Sequence, residues 1–581
     1  MTTILGLSCF YHDSAACLLQ DGKIIAAAHE ERFTRKKHDA SYPQNAISFC
    51  LSHAGITSKD LDWVSYYEKP FIKFDRILST HLSQAPFGLA SFLKSMPIWI
   101  KEKLWISALI QKKIKYSGKI IFPEHHEAHA ASSFFCSPFE EAAIMTLDGV
   151  GEWSTTTAGV GRGNQIVLQK EIHFPHSLGL LYSAFTYFLG FKVNSAEYKV
   201  MGLAPYGNPK YVDLIKKHLI EIKDDGSFKL NLSYFSYTYG LKMIHRRFGD
   251  LFNRKPRKPE DPLTQDDFDI AASIQKVTEE VVLKIAKSIR KETGMKNLCL
   301  AGGVALNCVA NGKVLREAGY EDIFIQPAAG DAGGAVGAAA FAYYSLLNQK
   351  RNVQTMPHPF LGPSFSDDDI EKELLQCNAV YEKLSTHELL QKTARAIADQ
   401  QVIGWFQGRA EFGPRALGGR SILADPRNKE MKDIVNLKIK FREGFRPFAP
   451  TVLAEYVQDY FELTQESPYM LLTAQVRQDK RILPSVTHVD GSARVQTIKR
   501  EDHPLYYDLI QEFYNLTGVP VVINTSFNVR GEPLVGSPKD AFQCFMGTHM
   551  DSLVIGHFFL EKKNQSNIKV FENYHKSFPL D

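Results

Sequence analysis

The same order of local signals occurs twice along this chain, and that duplication limits the fold more than any other feature. The chain opens with three short apolar runs, ILGLSCF, SAACLLQ and IIAAAHEE. Tyr11-His12-Asp13-Ser14 joins the first two and Asp21-Gly22-Lys23 the second pair. Asp-Gly between apolar runs is a strong hairpin signal. From residue 142 the order returns. AAIMTLDGVGEWSTTTAGV reads as strand, Gly-Asp turn and strand, and QIVLQKEI follows Gly161-Arg162-Gly163-Asn164 as a third strand. Asp13 and Asp148 sit in the first turn of each copy. Such a repeat predicts two related halves, each a mixed sheet backed by helices, with both polar turns facing a shared cleft.

The rest of the chain extends this pattern. Helical periodicity fills 267–293. NLCLAGGVALNCVANGKVLREAG then reads as a strand, a Gly-Gly turn and a helix ending at Gly319. IFIQPAAGDAGGAVGAAAFAYYSLL reads as a strand, a Gly-rich turn holding Asp331 and a small-residue helix. Residues 347–368 lose periodicity and collect Pro, Gly and Asp, the mark of a domain boundary. Beyond it come a helix near 387–400, the strand VIGWF, an Arg-, Gly- and Pro-rich stretch and, after about 562, a tail with little signal. With 581 residues the chain exceeds one ordinary core. We divide it into 1–350, 366–562 and a tail, 563–581.

Composition excludes several classes. Sixty-eight basic residues against 64 acidic ones leave a net charge of +4, which gives nucleic-acid binding no support as the main activity. Eight cysteines without a CxxC pair argue against a zinc finger and a disulfide scaffold. The N-terminus lacks a basic n-region and reads as a core strand, not a signal peptide. Lys94, Lys101, Glu102 and Lys103 interrupt the most apolar stretch, 87–114, which reads as an amphipathic helical pair and not a membrane span. A cytoplasmic enzyme is expected.

Two groups of residues carry chemistry. EHHEAHAASSFF places His125 and His129 at i,i+4 on one helix face. On spacing alone they read equally as metal ligands or as buried histidines satisfied by hydrogen bonds. The string is not HExxH, because residue 130 is alanine. Asp148 and Asp331 in Gly-rich turns add weight to a metal, and the mixed donors suit Fe(II), Mn(II) or Zn(II). Asp148-Gly149 and Gly302-Gly303 also permit close backbone approach to phosphate. No P-loop or clean Rossmann motif is present. The densest anion-binding signal is GWFQGRAEFGPRALGGRSILADPR followed by NLKIKFREGFRPFAP, with Arg409, Arg415, Arg420, Arg427, Lys438, Lys440, Arg442 and Arg446. Guanidinium groups on turns suit phosphate or carboxylate. VVINTSFNVRGEP adds Asn524, Ser526, Asn528 and Arg530 at a strand end.

Taken together, these strings resemble the O-carbamoyltransferase family of the nodulation, cephalosporin and tobramycin pathways. The resemblance runs over nearly the whole chain and is most specific in AEYKVMGLAPYG and EFGPRALGGRSILADPR. It implies an α/β chain of mixed sheets, with an actin/sugar-kinase/chaperone-like duplicated N-terminal domain in its threonylcarbamoyl-transfer branch and a YrdC-like C-terminal domain. The YrdC-like domain would join carbamoyl phosphate and ATP into carbamoyl-adenylate with release of pyrophosphate. The N-terminal domain would then pass the carbamoyl group to the hydroxyl of a small natural-product or sugar-type acceptor. Matched motif by motif, His125, His129, Asp148 and Asp331 fall on the metal positions, with Fe(II) expected and Mg2+ an option beside the nucleotide. Arg415, Lys440, Arg446, Arg494, Asn524 and Ser526 fall on the carbamoyl phosphate and ATP positions. His12, a candidate general base, and Lys37 fall near the acceptor and the adenylate, and Gly302, Gly303 and Asn307 should line the adenylate pocket. A threonylcarbamoyl-type tRNA-modifying enzyme and a non-catalytic nucleotide-binding relative are the alternatives. No membrane span and no nucleic-acid partner are expected, and the oligomeric state, a homodimer among the options, is left open.

Overall fold

The first repeat folds as β1 (Thr3–Ser8), β2 (Ala15–Gln20), β3 (Lys23–His29), β4 (Trp63–Tyr66) and β5 (Ile120–Ile121), in the order β3-β2-β1-β4-β5. β1 runs antiparallel to β2, from Thr3 opposite Gln20 to Ser8 opposite Ala15, and parallel to β4. The second repeat contains β6 (Glu141–Leu147), β7 (Ser154–Arg162) and β8 (Gln165–His173). After the hairpin β9 (Ile220–Ile222) and β10 (Phe228–Leu230), it is completed by β11 (Asn297–Ala301) and β12 (Asp322–Ile325). Its order, β8-β7-β6-β11-β12, is that of the first sheet with the same alternation of antiparallel and parallel pairs. This is the duplicated arrangement of the actin/sugar-kinase/chaperone class. The structure is a computed structural model and describes residues 1–351, 353, 356–566, 571 and 573–579.

The chain forms two units, Met1–Glu30 with His38–Pro357 and Glu31–Lys37 with His358–Asp581. The short segment Glu31–Lys37 therefore groups with the C-terminal half, although it follows β3 directly.

In the first unit the helices His125–Phe134 and Gly333–Phe341 pack against each other at the centre. Every residue from Gly333 to Ala340 is buried, so this helix has no solvated face. Gly337 shows why small residues are used. A Cβ there would lie 1.8 Å from the Ala128 carbonyl oxygen, so any side chain would separate the helices. A third helix, Gln265–Thr293, carries an apolar stripe from Ile270 to Ile289, starts in a Thr264–Asp267 capping box and stops at Gly294 with φ +68°. Stretch 87–114 folds as the helices Leu89–Lys101 and Ile106–Ile114. Among the described residues no helix is long and apolar enough to cross a membrane. None of the eight cysteines forms a disulfide.

The second unit is built on one mixed sheet. Its strands are β13 (Glu382–Lys383), β14 (Ile403–Phe406), β15 (Arg420–Ala424), β16 (Ala449–Leu453), β17 (Leu472–Gln475), β18 (Ser492–Ile498), β19 (Val521–Ser526), β20 (Ser552–Ile555) and β21 (Phe558–Glu561). The order is β13-β21-β20-β14-β15-β19-β16-β18-β17. β19 lies between β15 and β16 and is antiparallel to both, which puts Asn524 in the middle of the sheet. The tail is not a detached end. Tyr574 donates to Glu532 Oε1 at 2.6 Å, and His575 stacks on Phe441 at 4.3 Å.

Candidate functional site

Four side chains from separate parts of the sequence meet in the first unit. His125 and His129 lie one turn apart on the helix His125–Phe134, Asp148 follows β6, and Asp331 precedes the helix Gly333–Phe341. One donor atom from each falls within 4.8 Å of the other three, and all four residues are buried. His125 Nε2 is 3.2 Å from Asp148 Oδ2 and 3.0 Å from His129 Nε2. Both imidazole Nε2 atoms lie 3.7 Å from Asp331 Oδ1, within ion-pair reach but outside hydrogen-bond distance. Neither oxygen of Asp331 has a hydrogen-bond partner, and both are shut off from solvent.

That donor set fits a metal ion. The buried Asp331 carboxylate without donors is costly by itself, whereas a divalent cation would use it together with the two ring nitrogens that here meet at 3.0 Å. The electrostatics say the same. Burial opposes charge on His125, but Asp148 and Asp331 raise it to about 9. His126 is pushed down to about 3 by burial and by the other two histidines. It stays outside the cluster, with Nδ1 2.6 Å from Thr146 Oγ1.

The surrounding shell holds residues that motif reading missed. Glu152 accepts from the backbone N–H of His125 at 3.1 and 3.0 Å and from that of Lys69 at 2.7 Å, so it fixes the start of the histidine helix. Glu68 lies 3.9 Å from His125 Nδ1 and forms a buried pair with Lys73. The only signal for Glu152 is the acidic position in DGVGEW, and Glu68 has none. Asp148 Oδ1 accepts from Gly303 N–H at 2.8 Å.

His12 joins this group from the first repeat. Its Nδ1 is 2.9 Å from Asp13 Oδ2, and its Nε2 is 3.8 Å from Asp331 Oδ2. Asp13 also reaches His38 Nδ1 at 2.7 Å. Burial works against a charged His12, yet Asp331, Asp13 and Asp148 together raise it to about 10.

The glycine turn after β11 is committed to the fold. Gly302 has φ +92°, and a Cβ there would lie 2.2 Å from the Leu147 carbonyl oxygen. The N–H of Gly303 is the donor to Asp148. Asn307 caps the helix Cys308–Glu317 through Ala310 N–H at 3.1 Å, and its amide pairs with Gln275 at 2.9 and 3.1 Å. Lys37 lies in the segment that groups with the second unit.

In the second unit the arginine-rich stretch separates into two kinds of residue. Arg420 is fully buried and donates to the carbonyls of Gln407, Gly419, Pro363 and Gly408 at 2.9–3.1 Å, with its guanidinium over Phe406. Arg427 grips Asp425 through two nitrogens, and Arg409 donates to the carbonyls of Gly362 and Leu361. These three hold loops together. Arg446 and Arg530 instead flank Glu443 at 3.6 and 3.5 Å. Lys440 is buried, and its Nζ donates to Ser526 O at 2.6 Å, Ser526 Oγ at 3.1 Å and Asn528 O at 2.8 Å. Lys438 is exposed. Asn524 donates to Gln496 Oε1 at 2.8 Å, while its own Oδ1 is buried without a partner. Arg415 and Arg494 are half-buried.

Comparison with known proteins decides the family. A model described as carbamoyltransferase N-terminus matches residues 3–340, and one described as carbamoyltransferase C-terminus matches residues 394–562. The chain belongs to the carbamoyltransferase family. An uncharacterized protein of Synechocystis sp. is 53% identical over all of both chains. Nodulation protein NolNO of Sinorhizobium fredii is 39% identical over 96% of this chain and 80% of its own length. Nodulation protein NolO of Bradyrhizobium diazoefficiens is 41% identical over 76% of this chain and 79% of its own length. Among solved structures, HypF of T. kodakarensis aligns with a TM-score of 0.33 at 14% identity over 60% of this chain and 48% of that chain, too distant to carry an argument.

Proposed function

We propose that the chain is an ATP-dependent O-carbamoyltransferase working in two half-reactions. In the second unit, water takes the phosphoryl group of carbamoyl phosphate to release phosphate and leave carbamate, and a carbamate oxygen attacks the α-phosphorus of ATP as pyrophosphate leaves. In the first unit, the hydroxyl of a small-molecule acceptor attacks the carbamoyl carbon and AMP departs. The observation that supports the second step best is the chain Asp13–His12–Asp331 beside the four-ligand cluster. Asp13 on Nδ1 sets the tautomer in which His12 Nε2 is the acceptor, the role an orienting carboxylate plays for a general base. Against the effect of burial, Asp331, Asp13 and Asp148 hold His12 high. A cation held by Asp331 and Asp148 would offset their charges and favour the neutral ring, whose Nε2 would take the hydroxyl proton.

His125, His129, Asp148 and Asp331 would hold Fe(II) or another divalent ion, which supplies Lewis-acid polarisation of the carbamoyl carbonyl. Arg415, Lys440, Arg446, Arg494, Asn524 and Ser526 would bind carbamoyl phosphate and ATP. Of these, Arg446 is the most direct test, because Lys440 already spans Ser526 and Asn528. Both substrates are cytoplasmic metabolites, and that is where we place the enzyme.

Pyrophosphate release on mixing ATP with carbamoyl phosphate, with no acceptor, tests the reading. Arg446→Ala should abolish it. His125→Ala should keep it and lose carbamoylated product. Synthetic carbamoyl-adenylate should rescue Arg446→Ala alone. Two well-folded variants that each lose both activities would mean that the half-reactions are not divided in this way.

A further inference from the structure

Arg76 is the least explained charge in the first unit. It lies on the helix Pro70–Ser83 and is only 6% exposed. Its guanidinium makes no hydrogen bond and no ion pair among the described residues, and its Nε is sealed from solvent without an acceptor. Its one directed contact is the face of Phe174, 4.9 Å away. The nearest carboxylates are already used. Glu68 pairs with Lys73, and Glu152 accepts from the N–H groups of Lys69 and His125. Burial lowers Arg76 to about 10, with only distant help from Tyr11, Glu68 and Glu152, so it stays a cation at neutral pH. A buried cation with no anion costs far more than one aromatic face offsets.

The surroundings connect Arg76 to the cluster described above. Tyr11, next to His12, lies within electrostatic reach of Asp331, Asp148 and Arg76. Its ring packs on that of His12 at 4.7 Å and lies under Lys73 at 5.2 Å. Lys73 is one turn from Arg76 on the same helix. Lys103 donates to the carbonyl of Phe10 at 2.6 Å. Three cations thus gather around the turn that carries His12, and Arg76 alone among them has no oxygen partner.

We propose that Arg76 anchors an oxyanion, a phosphate or carboxylate group, on a molecule bound beside His12 and the His125–Asp331 cluster. A planar guanidinium accepts such a group through two parallel hydrogen bonds, and the Phe174 face fixes its plane. The place of this contact in the reaction rests on the cluster being the transfer site. There the oxyanion belongs either to the adenylate phosphate or to a hydroxyl acceptor that carries its own negative charge.

The test uses the full-length protein with inorganic phosphate, acetate and AMP as probes, read by calorimetric titration and thermal unfolding. Arg76→Met replaces an unpartnered buried charge by an apolar chain of similar length. Without anion it should unfold at the wild-type temperature or above. Its Arg76-dependent affinity for phosphate should fall about thirtyfold or more. Arg76→Lys should recover only part of it, because an ammonium lacks the two-pronged geometry. If AMP binding falls with phosphate binding, the oxyanion is the nucleotide's. If AMP binding persists while phosphate and acetate binding fall, it is the acceptor's. Phosphate and acetate titrations identical in wild type and Arg76→Met overturn the proposal, and Arg76→Gln gives the same reading if the methionine variant misfolds. Arg446→Ala, in the other unit, should keep the Arg76-dependent signal, so a failed adenylation reading leaves this test intact.

Discussion

Arg420 and Arg446 stand in the same arginine-rich stretch, and we expect opposite consequences from mutating them. Arg420 is fully buried and serves four carbonyl oxygens, those of Gln407, Gly408, Gly419 and Pro363, while stacking on Phe406. Arg420→Met keeps much of the volume and removes every donor. A hydrogen bond to a charged group contributes about 1.5–3 kcal/mol, and a buried acceptor left bare costs about 1–3 kcal/mol. The four acceptors lie in pairs and share two nitrogens, so full additivity is not expected. Roughly half the simple sum, about 4 kcal/mol, is a reasonable loss. For a unit of this size that lowers the unfolding temperature by about 8–16 °C. Arg446 lies 3.6 Å from Glu443 and is the arginine we assign to the anionic substrates, so Arg446→Ala should abolish pyrophosphate release while shifting unfolding less than Arg420→Met does. Calorimetry of both variants, paired with a pyrophosphate assay well below the lower transition, separates the two roles. An Arg420→Met protein as stable as wild type, or an Arg446→Ala protein equally destabilised, would refute the division into scaffold and ligand arginines.

His129→Ala should lose most bound metal when the purified protein is analysed by elemental mass spectrometry, and equal content in both proteins would exclude His129 as a ligand. Glu152→Gln keeps the shape at the start of the histidine helix but removes the charge held against His125 N–H. Metal affinity measured by competition with a chelator should fall about ten- to a hundredfold, and no change would assign Glu152 to the fold alone. His503 is lowered to about 4 chiefly by burial, and its Nδ1 caps the helix Pro504–Thr517 through Tyr506 N–H. The unfolded chain takes up this proton near pH 6.5 and the folded chain only near 4, so the contribution is complete above 6.5 and lost between those values as pH falls. His503→Asn preserves an N-cap without a titrating ring and should flatten the acid side of the unfolding temperature profile, whereas an unchanged profile would place the acid sensitivity elsewhere.

Local signals were legible in the sequence wherever neighbours in the chain decide the outcome. The Asp-Gly hairpin, the repeated strand triplets and the 3.6-residue stripe of Gln265–Thr293 all became the expected elements. The sheet order β3-β2-β1-β4-β5 and its copy follow from that repeat, since related halves fold alike. The convergence of His125, His129, Asp148 and Asp331 was legible only as a suspicion, because nothing in a Gly-rich turn states which turn it will meet. Glu152 and Glu68 gave almost no signal. Their work is to orient a helix start and balance a ring nitrogen, and any acidic residue in a loop looks the same.

The arginine cluster shows most clearly why composition stops short of function. A guanidinium meets a carbonyl rim and a phosphate with the same fork of N–H donors, so residue type cannot separate Arg420 from Arg446. What the structure adds is how many donors a guanidinium spends inside the fold, and Arg420 gives its two terminal nitrogens to four carbonyls. By that measure Arg420, Arg427 and Arg409 are structural, and a count of basic residues overstates the anion site. The same measure works in reverse for Arg76, which stands in no motif of the sequence. It is 6% exposed, with the Phe174 face as its only directed contact among the described residues, and neither fact can be read from the sequence. The Arg76 titrations therefore test whether unspent donors in buried places mark a ligand site better than the density of charged residues along the chain.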